Sequence, residues 1–144
     1  MDSTKFILKE LSKTNKVEII EFTKKLNPNK SESDLFKNLD DMFEFQNFCI
    51  LGLVQDERII GISSSWMTVR FYSGRQLEVD NFIIDAKIRS HGLGQVFLTL
   101  IEEWAKEKGC QTIELNTYVQ NSRSHKFYFN SGYSILGFHF QKTI

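Results

Sequence analysis

Proline and cysteine are scarce in this chain. One proline, Pro28, and two cysteines, Cys49 and Cys110, stand among 144 residues. So few thiols exclude a disulfide framework, and no Cys/His cluster has the spacing of a zinc site. The three histidines, His91, His125 and His139, are dispersed, so no metal is expected. No apolar run approaches the ~20 residues of a membrane span, and the opening MDSTKFILKELSK flanks a short apolar patch with charge on both sides. That is unlike a secretory leader, and the expectation is a cytoplasmic chain with no membrane partner. An excess of either charge is also missing, since 18 basic residues balance 18 acidic ones. A dedicated nucleic-acid binder normally shows a basic excess, so no nucleic acid is expected as a partner.

What is present suits a single folded domain over residues 1–144. The chain is 41% hydrophobic and 25% charged, and a fold of this length buries roughly 70% of its unfolded surface. Lys5 to Leu11 reads as a short strand. Asn15 to Asn27 follows as a helix striped by Ile19, Phe22 and Leu26 and ended by Asn27-Pro28-Asn29. A second helix begins at Ser31, with Leu35, Leu39, Met42 and Phe43 at helical spacing. Strands Asn47–Gln55, Arg58–Phe71 and Gln76–Asp85, joined at Asp56-Glu57 and Ser73-Gly74, form an antiparallel meander. Leu93, Phe97, Leu100, Ile101 and Trp104 then mark an amphipathic helix that Gly109 can cap. Gln111–Val119 is a strand, Ser122–Asn130 a short helix, and Tyr133–Thr143 a final strand. A strand-helix-strand passage requires a parallel crossover. The expected fold is α/β, a mixed and mostly antiparallel twisted sheet with helices on both faces, in the order β-α-α-β-β-β-α-β-α-β.

Chemistry concentrates in Arg89-Ser90-His91-Gly92-Leu93-Gly94, between a strand and an amphipathic helix. Glycines in a first helical turn allow close backbone approach, and the free N–H groups there suit an anion such as a pyrophosphate. A dinucleotide fingerprint would need glycine at Phe97, and no phosphate-binding GxxxxGK[ST] motif occurs. Asn121, Ser124 and Tyr128 fall on one helical face after the next strand, so both sets can meet at one edge of the sheet. Asn121 is equally suited to a plain helix N-cap.

The series R-x-x-G-x-G, helix, strand, N-S-x-S-x-x-F-Y and N-S-G-Y resembles the GNAT superfamily of acyl-CoA-dependent N-acyltransferases, over about residues 76–140. The resemblance implies that Arg89, Ser90, His91, Gly92, Leu93, Gly94 and Gln95 cradle the pyrophosphate of acetyl-CoA, a co-substrate, chiefly through backbone N–H groups. It implies that the strand Phe82-Ile83-Ile84 pairs with the pantetheine arm, the Phe82 N–H polarising the thioester carbonyl. Asn121 and Ser124 would contact the pantetheine end, and Tyr128 would sit near the thioester sulfur. Ala86 replaces a common proline of the family and Ser124 a common alanine.

The implied activity is transfer of an acetyl group to a primary amine. An alkylammonium is almost wholly protonated at neutral pH, so a base helps. Strand alternation puts Glu78, Asp80 and Phe82 on one face. Glu78, four residues before Phe82, resembles the general-base position of some family members, and Asp80 is the alternative base or a positioning group. Tyr128 is the expected proton donor to the departing thiolate. Cys49 and Cys110 have no partnering base in sequence, so no covalent enzyme intermediate is expected. A small-molecule amine is the preferred acceptor; peptide or protein amines, a non-catalytic acyl-CoA sensor and an interaction module are the alternatives. A homodimer is compatible with such a fold.

Overall fold

The computed structural model describes residues 5–88 and 92–144. Five strands form one sheet in the spatial order β1 to β5. They are β1 (Ile7–Leu11), β2 (Phe48–Gln55), β3 (Arg58–Arg70), β4 (Gly74–Ile84) and β5 (Thr112–Leu115). The first four pair antiparallel, and β5 runs parallel to β4. Asp56 and Glu57 both take positive φ, which gives the β2–β3 hairpin the twist its strands need.

Helices α1 (Lys16–Leu26) and α2 (Glu32–Phe43) cover one face of the sheet. Ile19, Ile20, Phe22, Leu35 and Leu39 pack there against Leu11, Phe48, Ile50, Ile62 and Ile83. Ser31 starts α2 by accepting the Asp34 N–H. Helix α3 (Leu93–Glu107) covers the other face, where Phe97, Ile101 and Ala105 meet Leu51, Leu53, Leu77, Val79 and Ile84. Helix α4 (Ser122–Asn130) lies against the start of α3. A Cβ built on Gly94 would come within 3.2 Å of the Phe127 ring, so this glycine is what lets the two helices approach.

Two sequence expectations need correction. The strand expected over 111–119 ends at Leu115. The final strand expected over 133–143 is absent among the described residues, and α4 is followed by a largely exposed segment without regular secondary structure.

Candidate active site

The sheet opens where β4 outlives β5. Their register runs from Gln76 beside Thr112 to Val79 beside Leu115. The Asn116 N–H still reaches the Val79 carbonyl at 3.3 Å, and beyond it β4 continues to Ile84 with β3 as its only partner strand among the described residues. Parallel strands that part leave a gap bounded by unpaired backbone groups, the usual ligand position in open α/β sheets.

A bulge determines which residues face that gap. Ser64 pairs with Asn81 but Ser65 with Val79, so Asp80 is the extra residue on β4. The bulge overturns the expected alternation. Phe82 does not share a face with Glu78; it packs with Leu77 and Val79 on the α3 side and stacks on Phe97 at 5.0 Å. The Asp85 N–H donates to the Ile60 carbonyl at 2.8 Å. Counting back by twos, Ile83 aims its backbone at β3, while Phe82 and Ile84 aim theirs into the gap. The Ile83 side chain belongs to the α1–α2 core.

Gly92, the N-cap of α3, has φ of 78°, and no atom of the described residues comes within 4 Å of where a Cβ would stand. Its carbonyl accepts the Val96 N–H at 3.1 Å, so the N–H groups of Leu93, Gly94 and Gln95 have no partner from within the helix. Arg89, Ser90 and His91 lie outside the described residues. An anionic cofactor tail fits the free N–H groups and the positive dipole end of this helix start.

The carboxylates differ in setting. Burial would raise the Glu78 carboxyl, but hydrogen bonds from Arg70, Gln76 and Thr68, with the Arg70 charge, hold it below its ordinary value. Its Oε1 accepts from Arg70 Nη2 at 2.7 Å, Gln76 Nε2 at 2.8 Å and Thr68 Oγ1 at 3.2 Å. Gln76 is fully buried and also donates to Glu114 Oε1 at 3.0 Å, to which the Tyr72 hydroxyl donates in turn. Asp80 behaves oppositely. As a residue it remains open to solvent, yet protein crowds its carboxyl enough that desolvation raises its pKa, outweighing the nearby Asn116 and Trp66 side chains.

Tyr128 is half-buried and edge-on to Phe127 and Tyr133, at 5.4 and 6.0 Å. Burial pushes its hydroxyl up to about 12, so the proton is firmly held. Phe127 in turn stacks toward Phe82 at 6.1 Å, which ties α4 to the β4 side of the gap. Asn121 caps α4, its side chain accepting the Ser124 N–H at 3.3 Å. The Cys49 thiol is pushed up to about 12 by burial, and burial raises Cys110 as well, which disfavours either as a nucleophile. A cleft of about 700 Å³ between α1 and the β2–β3 hairpin is lined by none of the candidate residues.

Sequence reasoning missed Arg70, Gln76, Glu114 and Asn116. Gln76 could have been found, since it sits two residues before Glu78 on one strand face. The others depend on strand register, which no local pattern reveals.

Residues 18–133 match the profile of the Acetyltransferase (GNAT) family. The chain is 22% identical over 109 residues to an uncharacterized N-acetyltransferase, YhdJ, of Bacillus subtilis, covering 75% of this chain and 77% of that protein. It is 24% identical over 92 residues to an aminoalkylphosphonate N-acetyltransferase of Salmonella typhimurium, covering 63% of this chain and 60% of the relative. Its fold matches the structure of aminoglycoside N-acetyltransferase AAC(6')-Iy in complex with CoA, with a TM-score of 0.82 at 14% identity, over 97% of this chain and 95% of that one.

Proposed function

The chain belongs to the Acetyltransferase (GNAT) family, and on that premise we propose that it transfers the acetyl group of acetyl-CoA to a primary amine of a small cationic molecule. The observation that carries this reading is the gap between β4 and β5, with the Phe82 and Ile84 backbone on one side and the α3 N-terminus nearby. Acetyl-CoA supplies an activated acyl group; the residues of the chain bind, orient and move protons. The backbone groups of Phe82 and Ile84 hold the pantetheine arm, and the Phe82 N–H faces the thioester oxygen. The turn at Gly92, with Leu93, Gly94, Gln95 and the motif residues Arg89, Ser90 and His91, holds the phosphates.

Asp80 takes the proton of the acceptor ammonium, because a carboxyl raised by desolvation is the stronger base of the two candidates. Glu78, kept ionised by Arg70, orients the amine or a water. Tyr128, protonated at neutral pH, is the proton donor to the departing thiolate. Asn121 and Ser124 border the pantetheine end at the start of α4. Glu78, Asp80 and Glu114 lie close together in sheet register with one described cation, Arg70, among them. That balance favours a positively charged acceptor. The names of the aminoalkylphosphonate and aminoglycoside N-acetyltransferases are consistent with small amine acceptors.

The test is thiol release from acetyl-CoA with a panel of polyamines, aminoglycosides, aminoalkylphosphonates and peptide N-termini. The expected result is saturable turnover with a small amine and an acetylated product by mass spectrometry. Turnover confined to peptide amines would replace the acceptor class. Acetyl-CoA binding without turnover on any amine would contradict catalysis.

A further inference from the structure

Strand β3, the middle strand of the sheet, carries three serines in succession, Ser63, Ser64 and Ser65, and all three are fully buried. A strand covered on both faces normally reads as a run of apolar residues, so buried hydroxyls there need a reason. Ser63 and Ser65 lie on the α3 side, opposite Leu51 and Cys49, and their hydroxyls have no hydrogen-bond partner among the described residues. Ser64 lies on the other side, between Ile62 and Trp66, and it differs. Its Oγ accepts from Asn81 Nδ2 at 2.7 Å and from the Asn81 backbone N–H at 3.3 Å. Both lone pairs of this hydroxyl are thereby used on one residue.

That residue stands at the bulge. Ser64–Asn81 is the last pair before the register breaks, with the extra residue Asp80 on one side of Asn81 and Phe82 on the other. A bulge disrupts the ladder where it falls, so a further hold on the backbone matters there. The Asn81 N–H belongs to the peptide plane that leads from Asp80, and the Asn81 carbonyl shares a plane with the Phe82 N–H. Fixing Asn81 through its backbone and its side chain together therefore constrains where both neighbours face.

We propose that Ser64 is a positioning residue for acyl transfer. Its hydroxyl clamps Asn81, and through Asn81 it keeps the Asp80 carboxyl and the Phe82 N–H directed at one thioester. The inference rests on the acetyltransferase reading, in which Asp80 takes the proton and the Phe82 N–H faces the thioester oxygen. A misplacement of about 1 Å costs about 10²-fold in rate. The phosphates of the coenzyme are held at the Gly92 turn, away from the bulge. Loss of the Ser64 hydroxyl therefore slows turnover far more than it weakens acetyl-CoA binding.

The test starts with the native chain and acetyl-CoA carrying a heavy carbonyl carbon. Difference infrared spectroscopy should show a thioester stretch lowered on binding, the mark of a hydrogen bond to its oxygen. In Ser64→Ala the stretch is expected to return towards that of free acetyl-CoA. With the best amine of the acceptor panel, kcat should fall about 10–100-fold while the KM for acetyl-CoA stays within about twofold of native. Ser64→Thr, which keeps the hydroxyl, should restore most of both. Ser65→Ala removes the same atom from an equally buried neighbour and should behave as native. Should Ser64→Ala not fold, Asn81→Ala withdraws the Nδ2 donor from the other end and is expected to show the same split. A native kcat or a native stretch in the variant overturns the proposal, whatever its melting temperature. A Ser65→Ala chain that loses as much overturns it too, since the effect is then one of core packing. A native chain whose stretch does not move on binding removes the oxyanion contact that Ser64 is held to position. A native chain that binds no acetyl-CoA, or turns over no amine, overturns the acetyltransferase reading and the proposal with it, and this shows before any variant is made.

Discussion

Replacing Asp80 by Asn is expected to lower kcat/KM by about 10²–10⁴-fold, the range over which a positioned acid or base contributes. The same change should leave thermal stability unchanged or slightly raised at neutral pH. Desolvation holds the Asp80 carboxyl above 3.8 in the fold, so the native state binds its proton more tightly than the unfolded chain. Its contribution to stability is present below the unfolded value and is lost as pH rises through the folded one, which leaves the ionised group a cost at pH 7. Glu78 has the opposite sign. Its carboxyl lies below 4.5, so it stabilises above the unfolded value and loses that contribution as pH falls through the folded one. Glu78→Gln should therefore lower the melting temperature at pH 7 and lose it less steeply in acid, with a smaller kinetic effect than Asp80→Asn. Steady-state kinetics and melting curves on both variants check the pair. A Glu78→Gln enzyme slower than Asp80→Asn would move the base to Glu78.

Phe97→Ala should destabilise the fold by about 3–5 kcal/mol, the usual cost of emptying a buried aromatic site. The ring is fully buried between α3 and the sheet and stacks on Phe82 at 5.0 Å. Phe82 cannot collapse freely into the vacancy, because its backbone belongs to β4 and its ring also meets Phe127. For a domain of this size the loss corresponds to a fall of roughly 10–20 °C in Tm. Loosening Phe82 also frees the backbone that borders the gap, so the KM for acetyl-CoA should rise in whatever fraction remains folded. Urea unfolding gives the free energy directly. A loss below about 1 kcal/mol would mean the α3 face is not closely packed at this point.

Much of this architecture can be read from residue spacing. The stripe Leu93, Phe97, Leu100, Ile101, Trp104 identifies α3, and Phe97 and Ile101 are indeed buried. The turns at Asp56-Glu57 and Ser73-Gly74 set the meander, and Asn121 does cap α4. What sequence could not show depends on pairing between distant segments. The bulge at Asp80 arises only when β3 is laid against β4, and one extra residue there reverses which side chains share a face with Phe82. Arg70 meets Glu78 because the β3–β4 hairpin brings residues eight apart together. β5 stops at Leu115 although strand-forming residues continue to Val119, because β4 is no longer alongside. Residues 133–143 read as a strand by composition, but no strand pairs with them among the described residues, and an unpaired strand has nothing to hold it.

The most direct test of the central claim is calorimetric titration of the native chain with acetyl-CoA beside Gly92→Asn and Gly92→Glu. Gly92 has a left-handed φ of 78°, with no atom of the described residues within 4 Å of its Cβ position. Asparagine tolerates that conformation better than other L residues, whereas glutamate adds about 1–2 kcal/mol of backbone strain and also places a carboxylate where the phosphates are to bind. The account predicts micromolar binding by the native chain, near-native binding by Gly92→Asn, and a loss of about 100-fold or more in Gly92→Glu, equivalent to some 2.7 kcal/mol. No binding by the native chain, or equal binding by the glutamate variant, would contradict it.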